Sequence, residues 1–157
     1  MLIGKYLTLE ECCKSATALR LGIDNKPNQQ QTIALNTLAV NIYDKCCEKF
    51  LVKIPVVSGF RSKDLNDAIS GSSQSSQHMR GEAFDLDLDG TNNGVTNAQL
   101  FNYIKQHLSF DQLIWEFGTE ISPAWIHVSY DVSGKNRKNV FYSAKDNGKV
   151  HYKPFYK

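Results

Sequence analysis

Residues 83–88 constrain the fold more than any other stretch of the chain. Phe84, Leu86 and Leu88 alternate with Asp85, Asp87 and Asp89. Successive side chains of a strand point to opposite faces, so this stretch makes a strand with one apolar face and one acidic face. Such a strand needs another layer to cover its apolar side. The upstream sequence supplies helices for that purpose. Thr8-Leu9-Glu10-Glu11 is a capping box that opens a helix over residues 8–21, with Gly22 as its terminator. After the turn Ile23-Asp24-Asn25-Lys26-Pro27, a longer helix is expected over residues 28–49. Ile33, Leu35, Leu38, Ile42 and Tyr43 recur there at roughly helical spacing.

The remaining pattern is mostly strand. Residues 55–60 read as a short strand entering a turn, 62–69 as a short helix capped by Ser62, and 71–77 as a Gly/Ser-rich loop. Thr96 caps a helix over residues 96–107 with Leu100, Tyr103 and Ile104 as its apolar stripe. Strands follow over 111–116, 125–130 and 140–144, and Asp146-Asn147-Gly148 turns the last of them into Val150-His151-Tyr152. Helices first and then mostly strands predict an α+β fold, with N-terminal helices packed on a small antiparallel sheet. A length of 157 residues with 41% hydrophobic and 22% charged residues fits a single domain over 1–157, without repeat or linker.

Charge and cysteine usage narrow the function classes. The net charge of +2 is too small to argue for nucleic acid, so none is expected as a partner. The densest basic cluster, Lys135, Arg137 and Lys138, reads as a surface loop with at most weak attraction for an anionic polymer such as a cell wall. No apolar run approaches the length of a membrane span, and the start Met-Leu-Ile-Gly-Lys-Tyr lacks a signal-peptide pattern. Cytoplasmic synthesis of a monomer is expected, with any later export by another route. The cysteines form two adjacent pairs, Cys12–Cys13 and Cys46–Cys47. Adjacent helical residues point about 100° apart, so one thiol of each pair should face the core. The spacing suits neither a metal site nor a redox pair, and a disulfide between the two segments stays open.

The chemistry concentrates in Ser76-Gln77-His78-Met79-Arg80-Gly81-Glu82-Ala83-Phe84-Asp85. A loop histidine is followed by a carboxylate on the polar face of the next strand, and Gly81 permits a tight turn between them. Trp125, His127 and Ser129 share one face of a later strand. Should the two strands be neighbours, His78, Asp85 and His127 converge as nitrogen and oxygen ligands for zinc. Three protein ligands leave a fourth position for water, the mark of a catalytic site.

These segments resemble the zinc D-alanyl-D-alanine carboxypeptidase family, which includes phage endolysins and shares its fold with the hedgehog signalling domain. Ser76, His78, Gly81, Ala83 and Asp85 fill its motif Ser-x-His-x-x-Gly-x-Ala-x-Asp, and Trp125 and His127 match its second metal segment. Ser58-Gly59-Phe60-Arg61-Ser62, followed by Leu65-Asn66, is similar to its substrate-binding arginine segment. The resemblance implies a Zn2+ peptidase acting on peptidoglycan peptides, possessing the hedgehog/DD-peptidase fold, and reaching the wall after phage-type release or in host wall remodelling. It also implies that Arg61, Ser76 and Trp125 meet the substrate. A guanidinium fork suits an oxyanion, which fits Arg61 to a substrate carbonyl or carboxylate.

One position departs from the family pattern. Many members carry an acidic residue three before the last histidine, where this chain has Ala124. Glu116, at the end of the strand over 111–116, is the substitute expected as general base. The rival reading from Ala124 is a non-catalytic module that kept the fold and the metal. Asp85-x-Asp87-x-Asp89-Gly90 imitates a calcium loop, but position twelve would be Thr96 rather than a bidentate Glu. Asp87 is left as either a support for a ligand or an exposed carboxylate. His107 and His151 have no carboxylate at suggestive spacing and read as structural or surface residues.

Overall fold

The computed structural model describes residues 1–156; Lys157, the last residue of the expected domain, lies outside them. The chain begins with two short helices, α1 (Leu9–Cys12) and α2 (Ala16–Leu21). The Thr8–Glu11 capping box is present. The single helix expected over 8–21 is broken because Ser15 adopts an extended backbone and caps α2 by accepting the Ala18 N–H.

The long helix is α3 (Gln29–Leu38), a π-helical segment (Ala39–Tyr43) and α4 (Asp44–Phe50) in direct succession. Leu35, Leu38, Ile42 and Tyr43 are wholly buried, whereas Ile33 of the expected stripe faces solvent. Residues 52–54 fold back over the end of α4, with Val52 N–H bonded to Cys47 O. That return covers a second helix face, so Cys46 and Cys47 are both buried; Cys12 and Cys13 divide as expected, and all four thiols are free.

Short β1 (Val56–Ser58) leads into α5 (Lys63–Ala68), capped by Ser62. After the serine-rich loop, a 3₁₀ turn (Gln77–Arg80) delivers the chain to β2 (Ala83–Leu86). Then come α6 (Asn97–His107), β3 (Gln112–Glu116), β4 (Trp125–Ser129), β5 (Asn139–Asp146) and β6 (Lys149–Pro154). The six strands form one sheet in the order β1-β2-β4-β3-β5-β6. The architecture is α+β. The sheet departs from the all-antiparallel expectation at one pairing, because β5 lies parallel to β3. β4 already occupies one edge of β3, and the 130–138 connection carries the chain to the other edge in the same direction.

Alternation divides the sheet into two working faces. Phe84, Leu86, Leu113, Trp115, Ile126 and Val128 point toward the helices and are buried. Tyr43 meets Phe84 edge-on at 6.2 Å, and Phe101 of α6 meets Trp115 at 5.2 Å. Each such side chain contributes about 1.5–3 kcal/mol when fully buried, which pins the register. The opposite face is thereby forced to carry Asp85, Ile114, Glu116, Trp125 and His127.

Candidate metal centre

Sheet register brings the two metal segments together. Asp85 of β2 and His127 of β4 are direct Cα partners, and His127 also faces Ile114 of β3. His78 arrives from the 3₁₀ turn, whose end at Gly81 has a positive φ of 74°. His78 Nε2 lies 3.3 Å from His127 Nδ1 and 3.3 Å from Asp85 Oδ1, while His127 Nδ1 lies 3.0 Å from the same oxygen. The donors form a nearly equilateral triangle. A tetrahedral zinc ion with bonds of about 2.0–2.1 Å separates its donors by about 3.3 Å, so the spacing fits that ion.

The protonation chemistry fits as well. His78 Nδ1 is 2.7 Å from Gly59 O, and a carbonyl only accepts, so the ring proton belongs on Nδ1. Nε2 then presents a lone pair to the centre. Burial pushes the His78 imidazolium pKa down, outweighing the attraction of Asp85, which keeps the ring neutral. Burial alone would raise the Asp85 carboxyl, but the polar contacts converging on it outweigh that penalty and hold it well below the usual carboxylate range. Two imidazole nitrogens and a carboxylate oxygen thus converge as electron-pair donors, an arrangement that a cation stabilises. Among the described residues this is the one such cluster of His, Cys, Asp or Glu.

Supporting contacts fix the ligands. Arg61 Nη2 donates to Asp85 Oδ2 at 3.0 Å and Arg61 Nε to Ser58 Oγ at 2.9 Å, which turns Oδ1 toward the histidines. Sequence reasoning assigned Arg61 to substrate; the structure gives it a grip on a ligand as well. Asp111, also not foreseen, is buried and accepts from Gln77 Nε2 at 3.0 Å and from Arg137 Nε and Nη2 at 2.7 Å each. It ties the turn bearing His78 to the start of β3. Gln77 adjoining His78 was the available signal, but nothing in the linear pattern joins residues 77, 111 and 137.

The centre lies in a cleft of about 830 Å³. Arg61, Ser76, Trp125 and Glu116 all line it, with the serine-rich loop on one side and β5–β6 on the other. Trp125 packs on Phe117 at 5.3 Å, both at the Glu116 end. Glu116 is buried, and burial pushes its carboxyl up despite the hydrogen bond from Ser143 Oγ at 2.5 Å. Asp87 accepts from Asn97 Nδ2 at 2.8 Å and from Asp89 N–H at 2.9 Å, so it braces the start of α6 rather than a ligand. His107 rests against Tyr103, and His151 lies on exposed β6.

A His–Asp–His donor set in an open cleft, with a buried carboxylate on the same sheet face, has the parts of a metal-dependent hydrolase. The family model described as peptidase M15 matches residues 5–129, and the chain belongs to that family of metallopeptidases. Comparison with curated proteins gives no significant match. No helix among the described residues is long and apolar enough to cross a membrane.

Proposed function

We propose that the protein is a zinc-dependent peptidase that hydrolyses a peptide bond in peptidoglycan stem peptides or cross-links. The observation that carries this reading is the triangle of His78 Nε2, Asp85 Oδ1 and His127 Nδ1, with donor spacings of 3.0–3.3 Å. A zinc ion held there by His78, Asp85 and His127 would supply Lewis-acid polarisation of the scissile carbonyl and would make water more acidic.

The chain's own residues supply the rest. Glu116 is the general base: it takes a proton from the attacking water and passes it to the leaving amine. Burial raises its pKa, which suits a group that must both accept and return a proton near neutrality. Arg61 holds Asp85 through Nη2 and is itself fixed by donating from Nε to Ser58 Oγ, and its remaining N–H groups meet the developing oxyanion. Ser76 and Trp125 shape the walls against which the peptide lies. The phage-type or wall-remodelling setting follows from the same substrate. Glu116 on the cleft face favours hydrolysis over the non-catalytic reading that Ala124 suggested.

The test is digestion of purified peptidoglycan by zinc-loaded protein, with products identified by mass spectrometry. The expected result is new peptide termini that vanish with chelator and return with zinc. Intact peptidoglycan across several wall chemistries would overturn the proposal in favour of a binding module.

A further inference from the structure

The matched family region ends at residue 129, the last residue of β4, yet the β5–β6 hairpin beyond it reaches the cleft. Ser143 of β5 is the direct Cα partner of Glu116 across the parallel β3–β5 pair, so both side chains emerge side by side. Ser143 is buried. Its Oγ accepts the Phe117 N–H at 3.0 Å and lies 2.5 Å from Glu116 Oε2. We infer that Ser143 is a positioning residue that fixes the Glu116 carboxylate with Oε1 as its working oxygen. This rests on the reading of Glu116 as general base.

The direction of the hydrogen bond carries the argument. A serine hydroxyl has one proton and two lone pairs. The Phe117 N–H occupies one lone pair, and among the described residues Glu116 Oε2 is the acceptor given to the hydroxyl proton. A buried hydroxyl that withheld that proton would leave its donor unsatisfied. Ser143 therefore donates, and Oε2 must accept in either ionisation state of Glu116. The proton that Glu116 takes up or releases then resides on Oε1. Among the described residues no side chain is bonded to that oxygen, and Glu116 lines the cleft. The hydroxyl selects which oxygen does the chemistry and stabilises the ionised form, opposing the burial that favours the neutral acid. The charged and titratable groups that act on Glu116 are His127, Asp85 and Arg61, and Tyr152 of β6 responds to it in turn. None of them makes a hydrogen bond to Oε2.

The test compares Ser143→Thr with Ser143→Val, which share shape and differ by the hydroxyl, on the full zinc-loaded chain. Ser143→Ala is the variant that asks for no extra space. Zinc content and melting temperature are measured alongside kcat, KM and the pH dependence of kcat, and Glu116→Gln is run in parallel. Ser143→Thr should keep kcat within about 3-fold, while Ser143→Val and Ser143→Ala lose about 10-fold or more, the scale of a hydrogen bond to a charged group. KM and zinc content should hold, and the acid limb of the profile should move to higher pH. Equal kcat and equal profiles for Thr and Val would overturn the role of Ser143, as would a loss in Ala that is uniform at all pH. Wild-type turnover by Glu116→Gln would instead remove Glu116 as base, and this inference with it.

Discussion

Gly81→Ala tests whether the turn between His78 and Asp85 is set by backbone shape. Gly81 has φ of 74°, a left-handed conformation that costs an L-residue roughly 1–2 kcal/mol. A Cβ there would also stand 2.5 Å from the backbone oxygen of Gln31 in α3 and 3.2 Å from Leu35 Cγ. Ordinary carbon–oxygen contact begins near 3.3 Å, so the turn and α3 must part by roughly 0.8 Å. Neither partner yields easily: Gln31 O is helix backbone, and Leu35 is wholly buried. Forced overpacking costs about 1–3 kcal/mol. The sum, about 2–5 kcal/mol, lowers the melting temperature by roughly 5–20 °C for a chain of this size. Moving the turn also moves His78, whose Nε2 must stay near 3.3 Å from its two companions. Thermal melts with and without zinc, combined with a zinc competition titration, read both effects. The expected outcome is a lower melting temperature together with weakened zinc affinity. A Gly81→Ala protein that melts within 2 °C of wild type, a window well inside the shift expected from this strain, and binds zinc equally would refute the reasoning.

His127→Ala should fold and lose its zinc on gel filtration, because two donors cannot close the triangle; full zinc retention would remove His127 as a ligand. Arg61→Lys should lower activity far more than melting temperature, since an ammonium lacks the fork that spans Asp85 Oδ2 and Ser58 Oγ while leaving N–H groups for substrate; unchanged activity would take Arg61 out of the site. Asp111 should contribute to acid sensitivity. The Arg137 hydrogen bonds hold its carboxyl below the usual range, so its stabilisation is present above the unfolded pKa of about 3.9 and is lost as pH falls through the lower folded value. Asp111→Asn should be less stable at neutral pH and show a flatter decline in acid; an unchanged slope in acid melts would count against it.

Much of this was legible because local chemistry and tertiary demand agree. The Thr8 capping box and the Thr96 cap form as the sequence spells them, and the Phe84/Asp85 alternation divides between helix layer and cleft. His78, Asp85 and His127 could be read because three weak motifs stand in the order of a known family, and the β2–β4 pairing brings the two strand residues together. What stayed hidden depends on strand order. A sequence pattern places Ser143 on a strand but cannot place that strand beside Glu116, because a parallel neighbour arrives through a connection that carries no register signal. The same blindness hid Asp111, whose partners Gln77 and Arg137 come from separate loops. The break at Ser15 was hidden for another reason. A serine inside an apolar periodic stretch is compatible with a continuing helix, and here tertiary context used it as a cap.

Position 124 becomes intelligible on the same terms. Ala124 sits at a bend just before β4, while Trp125 and His127 of that strand line the cleft. Ala124 N–H is bonded to Glu116 O at 2.9 Å, so the two positions are neighbours across the β3–β4 ladder. The carboxylate on the cleft face at this end of the sheet belongs to β3 rather than to β4. Residue 116 pairs with Trp125 and so shares the face of His127. An alanine at 124 is thus compatible with a carboxylate in the cleft, because the neighbouring strand β3 presents Glu116 there.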